Sequence, residues 1–158
     1  MKKMLSNGLF MFAGMVSLPA GVSPQRVPGI PVPDHRQDPR MESLRNFFLK
    51  FECPAVEYTV AFLEAADHYQ LDWRLLPSIS YVESTGGKSA RNNNLFGWDS
   101  GRKQFPSPVA SIQFVGYRLR HSDLYRHKNL DEVLAVYNPD AAYAQKVKSV
   151  MRRIAPTQ

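Results

Sequence analysis

Cysteine is nearly missing from this 158-residue chain, with Cys53 standing alone. One thiol excludes an internal disulfide framework and any Cys-rich zinc site. The four histidines, His35, His68, His121 and His127, include no pair at a metal-ligand spacing such as H-E-x-x-H. Neither a metal nor any other cofactor is therefore expected. Acidic residues are in deficit, 14 against 20 Lys and Arg, for a net charge of +6. Residues 1–40 hold five basic and two acidic side chains, so half of that excess lies there and residues 41–158 carry only +3. A nucleic-acid footprint concentrates charge on the folded domain, so no nucleic-acid partner is expected. The 44 % hydrophobic and 11 % aromatic content belongs to a globular chain, and the length suits one domain.

The first 40 residues read as an address followed by a spacer. Lys2 and Lys3 precede the mostly apolar Leu9-Phe10-Met11-Phe12-Ala13-Gly14-Met15-Val16, and the small residues Ala20, Gly21 and Ser23 follow. That is the layout of a signal peptide over residues 1–23, and it implies an exported protein of the periplasm, cell wall or extracellular space. The alternatives are an uncleaved N-terminal anchor or a buried helix. The apolar stretch is shorter than the roughly 20 residues of a membrane span. No cysteine follows it closely, which excludes a lipoprotein anchor. Six of the twelve prolines fall between Pro19 and Pro39, so residues 24–40 read as an extended linker and residues 41–158 as the working domain.

From Met41 onward the apolar spacing is helical. Residues 42–51 place Leu44, Phe47, Phe48 and Phe51 on one face, and residues 54–70 repeat Val56, Val60 and Leu63 behind Pro54. Asp72 is placed to cap a third helix running to about Ser84, with Pro77 confined to its first turn. Gly86-Gly87 would end that helix. Residues 85–107 turn to Gly, Asn, Ser and Pro around the apolar island Leu95-Phe96-Gly97-Trp98, and read as a loop or small hairpin. Helical spacing resumes at Val109, Ile112, Val115 and Leu119, again at Leu130, Val133, Leu134 and Tyr137, and last at Tyr143, Val147, Val150, Met151 and Ile154. The fold class is mainly α.

The chemistry centres on Glu83. It ends an apolar helix and meets the turn Ser84-Thr85-Gly86-Gly87. Desolvation against its own helix and the negative end of the helix dipole both favour the protonated carboxyl, as a general acid requires. A solvated glutamate at a helix end has the same sequence pattern.

Asp72-Trp73-Arg74-Leu75-Leu76-Pro77-Ser78-Ile79-Ser80-Tyr81-Val82-Glu83-Ser84 resembles the catalytic helix of the lysozyme-like superfamily. Asn92-Asn93-Asn94-Leu95-Phe96-Gly97-Trp98 resembles the Asn-Asn-x-Phe-Gly segment of the bacterial glucosaminidase family (mannosyl-glycoprotein endo-β-N-acetylglucosaminidase-like). Phe105-Pro106-Ser107 leading into Ser111-Ile112 is similar to that family's approach to its next helix. Val136-Tyr137-Asn138-Pro139, then Tyr143-Ala144 and Val147, resembles the Tyr-Asn motif and last helix of these enzymes and of lytic transglycosylases. The resemblance spans about residues 55–155. It implies a lysozyme-like α+β domain with a small loop or hairpin lobe after the catalytic helix, and cleavage of peptidoglycan at β-1,4 bonds between N-acetylated sugars.

On that resemblance Glu83 is the general acid, while Tyr137 hydrogen-bonds Glu83 or the sugar N-acetyl group, or else packs in the core. Ser84 and Asn138 join the substrate-binding set. Asn94 binds sugar or caps its turn, Gly97 permits a close approach or merely a turn, and Phe96 and Trp98 stack on pyranose rings or plug the core. Asp99 is the candidate water-activating base, or simply a turn residue in Asp99-Ser100-Gly101. Without a second carboxylate facing Glu83, a lytic transglycosylase reaction fits better than two-carboxylate hydrolysis. A non-catalytic glycan-binding envelope module is the rival from another class. The expected partner is a peptidoglycan glycan strand, met by a monomer. Lys146, Lys148, Arg152 and Arg153 on the last helix offer a peripheral contact to the anionic envelope, or are a solvated helix face.

Overall fold

The computed structural model describes residues 38–156. The expected signal peptide and nearly all of the expected linker lie outside the described residues. The first helix, α1 (Pro39–Lys50), begins two residues before the domain start expected at 41. Asp38 accepts a hydrogen bond from the Arg40 backbone N–H at 2.9 Å, and Pro39 occupies the first turn, where its missing donor does no harm. Arg40 also bridges to Asp67, at 2.7 Å, tying α1 to the next helix. Leu44, Phe47 and Phe48 form its buried stripe.

The helix expected over 54–70 is divided. A 3-10 turn at Pro54–Tyr58 precedes α2 (Thr59–Tyr69). Its tighter winding shifts the helical register, so Val60 faces solvent, while Leu63 faces inward as expected, together with Thr59, Phe62 and Ala66. Gln70 ends α2 in the left-handed conformation, at φ +53.

Helix α3 (Leu75–Ser84) starts three residues after Asp72, which folds the entry rather than capping the helix. The Asp72 carbonyl accepts from Leu75 N–H at 2.8 Å, and its carboxylate accepts from the Arg74 N–H at 2.9 Å. Pro77 sits in the first turn, where no helical hydrogen bond is lost. Residues 75–80 are buried all round, which makes α3 the central rod of the domain. Thr85, not Gly86-Gly87, makes the first left-handed step at its end, at φ +54. Gly86 follows, and any Cβ there would lie 2.7 Å from the Cβ of the buried Cys53.

Ser107 and Pro108 open α4 (Pro108–His121), Asn129 and Glu132 form a capping box on α5 (Leu130–Tyr137), and Asp140 caps α6 (Ala141–Ile154). Helix α4 packs chiefly on α2, and α6 on α3. Arg74 Nη1 donates to the Ala155 carbonyl at 3.0 Å, fastening the start of α3 to the end of α6. Among the described residues there is no β-strand. The lobe at 85–107 contains one antiparallel bridge, Arg91 to Asn94, closed by Asn92 and Asn93 at φ +56 and +58. The domain is mainly α, and the expected hairpin is a bridged turn.

Candidate active site

Glu83 lies in the last turn of α3, half-buried, and three elements converge on it. The loop over residues 85–107 arrives through Gly97, where a Cβ would stand 2.8 Å from Glu83 Oε2. Helix α5 brings Tyr137, and α6 brings Tyr143, whose hydroxyl acts directly on the carboxyl. Burial pushes the Glu83 carboxyl above its ordinary value, and the neighbouring Tyr143 hydroxyl, short of full hydrogen-bond geometry, partly opposes it. Among the described residues no charged side chain acts on Glu83.

Tyr137 stacks on Tyr143 with ring centroids 5.9 Å apart and planes 7° from parallel. Its hydroxyl donates to the Phe96 carbonyl at 2.9 Å, not to Glu83, and so holds the 85–107 loop. Burial first, then the neighbouring Glu83 and Tyr125, drive its pKa far up, so it is a neutral donor at any working pH. Tyr143 is raised by burial, then by Tyr137 and Glu83. Its hydroxyl is buried and closes no hydrogen bond at direct bonding distance among the described residues.

Several expected sugar ligands turn out to build the loop. Asn94 is buried: its Oδ1 accepts from the Trp98 N–H at 3.0 Å, and its Nδ2 donates to the Trp98 and Lys103 carbonyls at 2.9 and 3.2 Å. An amide so engaged is a brace, not a sugar ligand. Ser84 Oγ donates to the Leu95 carbonyl at 2.8 Å and accepts from the Gly87 N–H at 3.0 Å, which latches the loop to α3. Phe96 is 1 % exposed and meets Phe62 edge-on, so it is a core residue with no face left for a pyranose. Trp98 is half-buried between Phe114 and Tyr137, at 5.4 and 5.9 Å, and keeps part of its ring open. Asn138 ends α5, and its Oδ1 accepts from the Asp140 N–H at 3.0 Å to set the turn into α6.

Asp99 is not brought to Glu83. It is exposed in a left-handed turn at φ +54 and pairs with Arg102 at 2.6 Å, whose hydrogen bond holds its carboxyl below the ordinary value. A general base needs the opposite setting. On α6, Lys148 pairs with Asp131 and the Arg153 guanidinium lies 4.4 Å from the Phe51 ring centroid, so two of the four cations noted there are engaged within the domain. Tyr143 is the site residue that sequence reasoning did not single out. On the apolar stripe of α6 it has the pattern of any core aromatic, and only the fold places its hydroxyl beside Glu83. The arrangement holds one protonatable carboxyl in a largely apolar, tyrosine-lined setting, suited to delivering a proton to a bound leaving group. No protein-family model matches this sequence, and no curated protein matches it.

Proposed function

We propose that this domain is a lysozyme-like glycosidase that cuts β-1,4 bonds between N-acetylated sugars of peptidoglycan, with Glu83 as the general acid, and that it acts after export. The supporting observation is the setting of Glu83: half-buried at the end of α3, against Gly97, with burial raising its pKa. An acid of that kind protonates the glycosidic oxygen as the C1–O bond breaks, while the sugar ring takes on oxocarbenium character. Trp98, with its ring partly open, is the residue offered to a sugar face.

The same observation favours one fate for the cleaved sugar. Two-carboxylate hydrolysis needs a second acid across the bond. Asp99 is turned to solvent and paired with Arg102, and among the described residues no other carboxylate acts on Glu83. The ionised Glu83 left by the first step then takes the proton from the C6 hydroxyl of the same sugar, whose oxygen bonds to C1. That is an intramolecular transglycosylation, with Glu83 serving as acid and then base.

Purified peptidoglycan incubated with wild type and with Glu83→Gln, followed by mass spectrometry, tests both parts. Anhydro products, one water lighter than hydrolysed ones, are expected from wild type and none from the variant. Hydrolysed ends would replace the transglycosylase route with a hydrolytic one. Turnover surviving Glu83→Gln would overturn the assignment of the acid, and binding without turnover by wild type would mark a glycan-binding module.

A further inference from the structure

Tyr143 carries a buried polar atom that nothing in the fold explains. The residue is 4 % exposed, which leaves it little surface for a ligand. Its hydroxyl closes no hydrogen bond among the described residues, although native folds rarely leave a buried O–H unpartnered. Phenylalanine would fill the same space without that desolvation penalty. The ring itself is fixed, stacked parallel on Tyr137, whose own hydroxyl is committed to the Phe96 carbonyl. Helix α6 packs on α3, which carries Glu83, and of the three side chains that act on the hydroxyl, Tyr137, Glu83 and Tyr125, only Glu83 meets it as an acceptor.

We propose that Tyr143 is a positioning residue for Glu83, a donor left open while the carboxyl holds its proton and closed onto the carboxylate once that proton has gone. The inference rests on the acid role given to Glu83 above. When Glu83 delivers its proton to the glycosidic oxygen, a carboxylate is left half-buried with no charged partner. The Tyr143 O–H then donates to it, keeping its own proton throughout. When Glu83 takes a proton from the attacking hydroxyl, the contact reopens. A weak contact in the acid form and a strong one in the base form let one carboxyl serve both steps. The other groups in this neighbourhood are Tyr137 on α5 and Tyr125 between α4 and α5. Both are neutral, and Arg118 of α4 acts on Tyr125 rather than on Glu83.

The test is a carbon-detected NMR titration of Glu83, assigned by its loss in Glu83→Gln, in full-length wild type, in Tyr143→Phe and in protein carrying 3-fluorotyrosine at position 143. Removing the hydroxyl is expected to move the Glu83 titration to higher pH, and the more acidic fluorophenol to move it to lower pH. The alkaline limb of the activity profile should follow in each case, with kcat reduced in Tyr143→Phe and KM little changed. A Glu83 titration that stays in place in both proteins, or moves the same way in both, overturns the proposal. The titration needs no turnover, so an inactive wild type with the expected opposite shifts would remove the glycosidase reading and leave the Tyr143–Glu83 link standing.

Discussion

Gly97 lies against the Glu83 carboxyl so closely that a single added carbon would stand 2.8 Å from Oε2 and 3.6 Å from Cδ. Its φ of +60 belongs to the left-handed region, which costs an L-residue about 1–2 kcal/mol. In Gly97→Ala the carboxyl is the soft partner, because it ends a flexible side chain, and it is the group that moves. Activity should therefore suffer more than stability. The expected result is a stability loss of about 1–2 kcal/mol by urea titration, with turnover of peptidoglycan down by about 100-fold, the scale of a misplaced catalytic group. Wild-type turnover in this variant would detach Gly97 from the site.

Ser84→Ala tests the latch between α3 and the 85–107 loop. The change strands the Leu95 carbonyl and the Gly87 N–H, both of which the hydroxyl serves. Unfolding free energy should fall by about 1–3 kcal/mol, the penalty for unsatisfied buried groups. Fluorescence of Trp98, at the far end of the loop, should report the loosening. An unchanged urea midpoint would mean that water takes over both bonds.

Asp99→Ala separates a turn residue from a base. The side chain is exposed and bound to Arg102, away from Glu83. Turnover and product mass should match wild type. Loss of turnover in a folded variant would restore Asp99 as the second carboxylate and with it two-carboxylate hydrolysis.

Glu83→Gln carries a stability prediction with a definite sign. Burial raises the native carboxyl above its ordinary value of 4.5, so the native state binds the proton more tightly than the unfolded chain. Wild type then loses stability as pH rises from that ordinary value through the native one. Glutamine has no proton to lose. The melting temperature of the variant relative to wild type should therefore climb across that window and level off above it. A constant difference, or one that shrinks with rising pH, would contradict a raised Glu83.

The helices were legible because each buried stripe repeats at helical spacing and most begin with a side-chain cap such as Asp38, Ser107, Asn129 or Asp140. Boundaries shifted where backbone detail decided them: the 3-10 turn after Pro54 turned Val60 outward, and Asp72 built a turn ahead of α3. The loop was hardest to read. Asn94 and Ser84 look alike in sequence whether they bind a sugar or a carbonyl, and Phe96 looks alike as platform or plug. Burial and hydrogen bonding decide between those roles, and both depend on where α3 and α5 meet the loop. Glu83 was visible because its helix ends in a glycine-rich turn. Tyr143 was not, since helical spacing does not say which polar atom a buried ring faces.

The Asn94 clamp has a consequence for how a glycan would be received. One side-chain amide ties the Trp98 N–H, the Trp98 carbonyl and the Lys103 carbonyl together, and Tyr137 holds the Phe96 carbonyl from the other side. The backbone beside Glu83 is thus ordered before any sugar arrives. If the proposed glycan is the ligand, it would meet a finished jaw and need only displace water from it, so that recognition would draw on fit to a fixed shape with none of the binding energy going into folding a lid.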